Sequence, residues 1–129
     1  MTTEIWSPAS NDESVPANAL KSALEIIQAE TFPKKPPAEV KVLQSWMSRP
    51  YSLWGDALSS FDIEQLNYLV RFFTLAEATW SDWFGGDKNP AIWASKELKK
   101  QQAFPDKAFI EWIRANTDNR FIPYGNVLG

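Results

Sequence analysis

Histidine and cysteine are both absent from this chain. Their absence removes Cys/His zinc sites, haem ligation through histidine, Ser-His-Asp triads, Cys–His nucleophiles and disulfides. Long apolar runs are missing too. Nothing approaches the roughly 18 uninterrupted apolar residues that a membrane-spanning helix needs. The stretch from Met1 to Pro16 has neither a basic start nor an apolar segment of the kind a secretory signal carries. A cytoplasmic location is therefore expected. No Asn-x-Ser/Thr acceptor occurs. Only five glycines are present, and none builds a phosphate-cradling loop.

The chain has 129 residues, of which 44% are hydrophobic and 22% charged. That length and composition suit one folded domain rather than a disordered polymer. We expect a mobile arm over 1–17 and a single helical domain over 18–129. The arm is polar apart from Ile5 and Trp6.

Apolar spacing dictates helices. Asn18 can cap a first helix over about 19–30, where Leu20, Ala23, Leu24 and Ile27 share one face. The run Phe32-Pro33-Lys34-Lys35-Pro36-Pro37 stops it. It has the Pro-x-x-Pro spacing that aromatic grooves read, but serves better as a linker. A second helix is predicted over 37–48, with Val40, Leu43, Trp46 and Met47 as its stripe. The stretch from Tyr51 to Ser60 is ambiguous, because Gly55 interrupts a helical pattern. The third helix, 62–80, is the clearest. Asp62 with Gln65 resembles a capping box. Apolar residues, Ile63 among them, cover all but a narrow strip of Glu64, Asn67, Arg71 and Thr74. A helix apolar on most sides is buried on most sides, so this one is central. Asn89-Pro90 opens a fourth helix to about 102, and a fifth follows over 106–116. The tail is too apolar to hang free, with Phe121, Ile122, Tyr124, Val127 and Leu128. No segment alternates with period two. The expected fold is all-α: a single-domain bundle of about five short helices around the central one, with an irregular C-terminal tail packed back on it.

Catalytic chemistry finds little footing. Asp82, Asp87 and Asp118 lack the spacing of a calcium loop, and no nucleophile motif occurs. We expect no metal, no cofactor and no enzymatic activity.

Charge and tryptophan carry more. Up to Asp87 there are six basic and twelve acidic residues; from Lys88 on, seven basic and four acidic. Seven tryptophans exceed what a core this size requires, and tryptophan concentrates at binding hot spots. Exposed members of Trp6, Trp46, Trp54, Trp83 and Trp93 can build an interface. On the fourth helix Trp93, Lys96 and Lys100 share a face. The tail turn brings Asn119, Arg120 and Tyr124, and Arg120 can reach Asp82 or Asp87. The candidate interaction surface is accordingly Trp83, Lys88, Trp93, Lys96, Lys100, Asn119, Arg120 and Tyr124. The expected function is a protein-interaction or adaptor module. Its partner is another protein or a second copy, through the acidic and basic halves. The alternative is nucleic-acid binding through Trp93, Lys96, Lys99, Lys100 and Arg114, with bases stacked on the ring and phosphates on the cations. The last two helices, joined by the short turn Phe104-Pro105-Asp106, have the layout of a helix-turn-helix.

Overall fold

The computed structural model describes residues 14–125. Among these, five α-helices and two 3-10 segments are present, and there is no strand. The architecture is an all-α bundle. The arm expected over 1–17 lies mostly outside the described residues. Its last part belongs to the body, since Val15 is buried in the core.

Helix α1 (Ala17–Gln28) buries Ala19, Leu20, Ala23 and Leu24. Asn18 is not its cap. The helix starts two residues earlier, at Ala17, with Pro16 in the cap position, its carbonyl accepting from the Leu20 N–H. Proline fixes the entering backbone, and Asn18 is left exposed inside the first turn.

The expected α-helix over 37–48 is instead a nine-residue 3-10 helix, Ala38–Trp46. Its buried residues are Val40, Leu43 and Trp46, each three apart. Three residues make one 3-10 turn, so this spacing stacks them in one column; on an α-helix the same spacing would drift around the axis. The buried stripe is the expected one, and its period is that of the tighter helix.

The ambiguous stretch forms α2 (Tyr51–Leu58), which buries Trp54 and Leu58. The Trp54 indole N–H donates to the Trp46 carbonyl at 3.1 Å, tying α2 to the 3-10 segment.

Helix α3 (Ile63–Thr79) has both halves of the Asp62–Gln65 capping box. It packs against α1, α4 (Pro90–Lys100) and α5 (Lys107–Asn116). Leu66, Leu69, Val70, Phe72, Phe73 and Ala76 are buried. Phe72 and Phe73 meet edge to face at 5.0 Å, and Trp54 meets Phe73 at 5.3 Å. Two positions differ from the expected pattern. Thr74 is buried, its hydroxyl donating to the Val70 carbonyl one turn back. Ile63 is 42% exposed.

The proline-rich linker is held to the core. The Pro33 carbonyl accepts from the Trp80 indole at 2.9 Å, and Phe32 stacks on Trp80. Asn89 and Asp106 cap α4 and α5. Their connection, 101–106, is longer than the expected three-residue turn, so the helix-turn-helix layout is not reproduced. The tail returns to the bundle through Ile122 and Pro123, which are buried; Phe121 and Tyr124 are exposed, and Val127 and Leu128 lie outside the described residues. Among the described residues, no helix is long and apolar enough to cross a membrane.

Most of the tryptophan surplus is core. Trp46, Trp54, Trp80 and Trp83 are each at most 5% exposed. Trp46, Trp54 and Trp83 are thereby withdrawn from the set of exposed tryptophans expected to build an interface. Each is a large ring at the junction of short elements, where small helices alone would leave voids. Trp93 and Trp112 are half-buried, and Trp6 lies outside the described residues.

Candidate functional site

The expected interaction surface divides into two places. Trp83, Asn119 and Arg120 line a cleft of about 1070 Å³ between the end of α3, the turn before α4 and the start of the tail. Lys88, Trp93, Lys96 and Tyr124 line a separate groove of about 640 Å³ between α2, α4 and the tail.

The cleft is anchored by Glu77. One of its carboxylate oxygens accepts from the Gly85 and Gly86 N–H groups, both at 3.2 Å. The other accepts from the side-chain amides of Asn89 at 2.7 Å and Asn119 at 2.8 Å. Each asparagine does more than this. Asn89 also donates to the Phe73 carbonyl, and its oxygen caps the Ala91 N–H. Asn119 also donates to the Gly86 carbonyl, and its oxygen accepts from Phe121 N–H. Four donors around one carboxylate make a saturated structural clasp joining α3, the glycine turn, α4 and the tail. A group so fully bonded has no oxygen left to act on a ligand. Trp83 is buried beneath the clasp against Trp80 and offers no exposed ring; this corrects its place in the expected surface. Arg120 shares the cleft with Asp82 and Asp118, whereas Asp87 belongs to the groove.

The groove has a different character. Four aromatic side chains line it: Tyr51, Trp93, Phe104 and Tyr124. Tyr51 and Trp93 meet edge to face at 5.8 Å, and Phe104 and Tyr124 lie 5.5 Å apart with their planes tilted by 30°. The Trp93 indole is fixed by a 3.0 Å bond to the Arg49 carbonyl. Lys88, Lys96 and Lys99 stand among these rings. Among the described residues, Asp87 is the one carboxylate lining the groove, and it pairs with Lys88 at 3.7 Å. The Lys96 ammonium lies 5.4 Å from the Tyr51 ring centre. Lys100 sits on the same ring at 5.1 Å and donates to the Tyr51 oxygen at 2.6 Å. The shared face of Trp93, Lys96 and Lys100 is thus assembled around Tyr51.

Tyr51 is itself clamped, donating its O–H to the buried carboxylate of Glu97. Burial first, then the hydrogen bond to Glu97, raises the Tyr51 pKa above its ordinary 10.0. The hydrogen bond to Tyr51 likewise raises the pKa of Lys100. Tyr51 therefore stays neutral and Lys100 charged well into the alkaline range. Neither behaves as an activated base or nucleophile near neutrality.

The nucleic-acid set is not gathered in one place. Trp93, Lys96 and Lys99 line the groove, Lys100 adjoins it through Tyr51, and Arg114 lines the cleft. Not expected from the residues alone are Tyr51 and Phe104 in the groove, Glu97 buried behind Tyr51, and Glu77 in the clasp. For Glu77 the available sign was a lone carboxylate in the last turns of an apolar helix. No known protein family, characterised protein or solved structure matches this chain.

Proposed function

We propose that this chain is a protein-binding module, and that its docking site is the groove between α2, α4 and the tail. The segment it takes is acidic and carries one apolar side chain. The observation that supports this is four aromatic residues and three lysines lining one concavity of about 640 Å³. Aromatic walls bury an apolar side chain with little loss of rotamer freedom, and lysines beside them steer and hold carboxylates. Trp93 and Tyr51 are immobilised by their own hydrogen bonds, so the site is already ordered before anything binds.

A titration tests this. A synthetic peptide with isoleucine or phenylalanine between glutamates should quench or shift the fluorescence of Trp93. Trp93→Ala, or Lys96→Glu with Lys99→Glu, should weaken its binding by about tenfold or more. An unchanged signal at every peptide concentration would remove the reading.

The same rings and lysines favour a second reading, stacking of single-stranded nucleic acid. A net charge of −3 and the acid-rich first two thirds of the chain weigh against a long polyanion. Binding of an oligothymidylate, with affinity falling steeply as salt rises, would select that reading instead.

A further inference from the structure

The protein carries on its own surface a segment with the chemistry its groove would take. At the start of α3, Ile63 projects with 42% of its surface exposed. It stands between Asp62 and Glu64, both exposed. An apolar side chain flanked by two carboxylates complements aromatic walls flanked by lysines.

The two features cannot meet within one molecule. Pro50 and Tyr51, at the start of α2, line the groove, while Ile63 follows its far end. Helix α2 has eight residues, a rigid strut of about 12 Å between them. We propose that the Asp62-Ile63-Glu64 knob of one copy docks into the groove of a second copy. This rests on the groove reading given above and names its partner. The contact is heterologous, because knob and groove are different surfaces. Every copy therefore keeps one unused knob or groove, and assembly continues until a ring closes or a filament grows. The attraction is largely between exposed charges. It should fall with salt as the screening length shrinks from about 10 Å at 0.1 M to about 3 Å at 1 M.

Two variants decide it. Ile63→Ser with Glu64→Gln spoils the knob, leaves no charge to pair with a reversed groove and keeps the Asp62 cap intact. Lys96→Glu with Lys99→Glu spoils the groove. All four side chains are exposed, and circular dichroism would check that both variants fold. In sedimentation at low salt, the wild-type mass should climb above 14.7 kDa with concentration and return to it at 1 M salt. Each variant alone should stay monomeric. Mixed in equal amounts, they should form a one-to-one dimer that grows no further, since the intact groove of one accepts the intact knob of the other. A wild-type protein monomeric at low salt even at millimolar concentration overturns the proposal, as does a mixture that does not pair. If the glutamate peptide binds such a monomer, the groove reading stands and self-docking alone fails. If neither peptide nor second copy binds, both fail.

Discussion

Glu77, Asn89 and Asn119 show how one polar cluster, buried at Asn89 and half-buried at the other two, can be more consequential than many surface contacts. Asn89 caps α4, reaches Phe73 and holds Glu77, so Asn89→Ala removes three bonds and leaves buried partners unsatisfied. A cost of about 2–4 kcal/mol is expected, read as a lowered urea midpoint. Asn119→Ala also removes three bonds, but these are only part-buried or exposed and Glu77 keeps its other three donors, so a smaller cost of about 1–2 kcal/mol is expected. Tyr51 gives a spectroscopic prediction. Its raised pKa means that the folded state keeps its proton where the unfolded chain would lose it. The stability tied to this neutral phenol is present below the ordinary value of 10.0 and is lost as pH rises through the higher folded pKa. Lys100 shifts in the same direction, so its share also disappears at alkaline pH. Tyrosinate absorbance should show a late phase from Tyr51, and Tyr51→Phe should abolish it.

Among the elements, the turn between α3 and α4 is set by two adjacent glycines with different duties. A Cβ on Gly85 would lie 2.7 Å from both the Met47 carbonyl oxygen and the Asn89 Cα, which are backbone atoms and cannot swing away. Gly86 has φ +57°, and its Cβ would meet only the ring of Phe84, a side chain 74% exposed. Gly85→Ala should therefore destabilise more than Gly86→Ala. About 1–2 kcal/mol is expected for the second, from the left-handed backbone alone, and thermal unfolding of the two variants would rank them. The elements also show what a sequence discloses. Helices α3 and α4 were legible because their caps, Asp62 and Asn89, are local signals. The 3-10 segment was legible as buried and misread as α, because stripes three and four apart overlap over so few turns. The tail's return was legible from its apolar content. The clasp was not, since Asn119 lies 42 residues from the carboxylate it holds, and nothing local marks such a pair. In the groove Trp93 and Lys96 announced themselves as helix neighbours, while Tyr51 arrives from another helix 46 residues before its partner Glu97.

On the scale of the whole molecule, most aromatic side chains belong to the interior or to the groove, while Phe84 and Phe121 stand exposed at the cleft. Iodide should quench only a minor share of the tryptophan fluorescence, because four of the seven indoles are at most 5% exposed. Quenching of the full signal would contradict the packing. The charge division has a geometric counterpart. The basic third supplies the lysines of the groove, and the acidic portion supplies the carboxylates beside Ile63.

The tail is fastened at Asn119 and contributes Tyr124 and Gly125 to the groove a few residues later. Whatever grips that outer wall must also slow the release of Asn119 from Glu77. By reciprocity, a protein whose clasp has been loosened holds its guest less tightly. Hydrogen exchange at the Gly85 and Gly86 amides thus becomes a remote gauge of occupancy, reading from beneath the cleft whether the groove is filled.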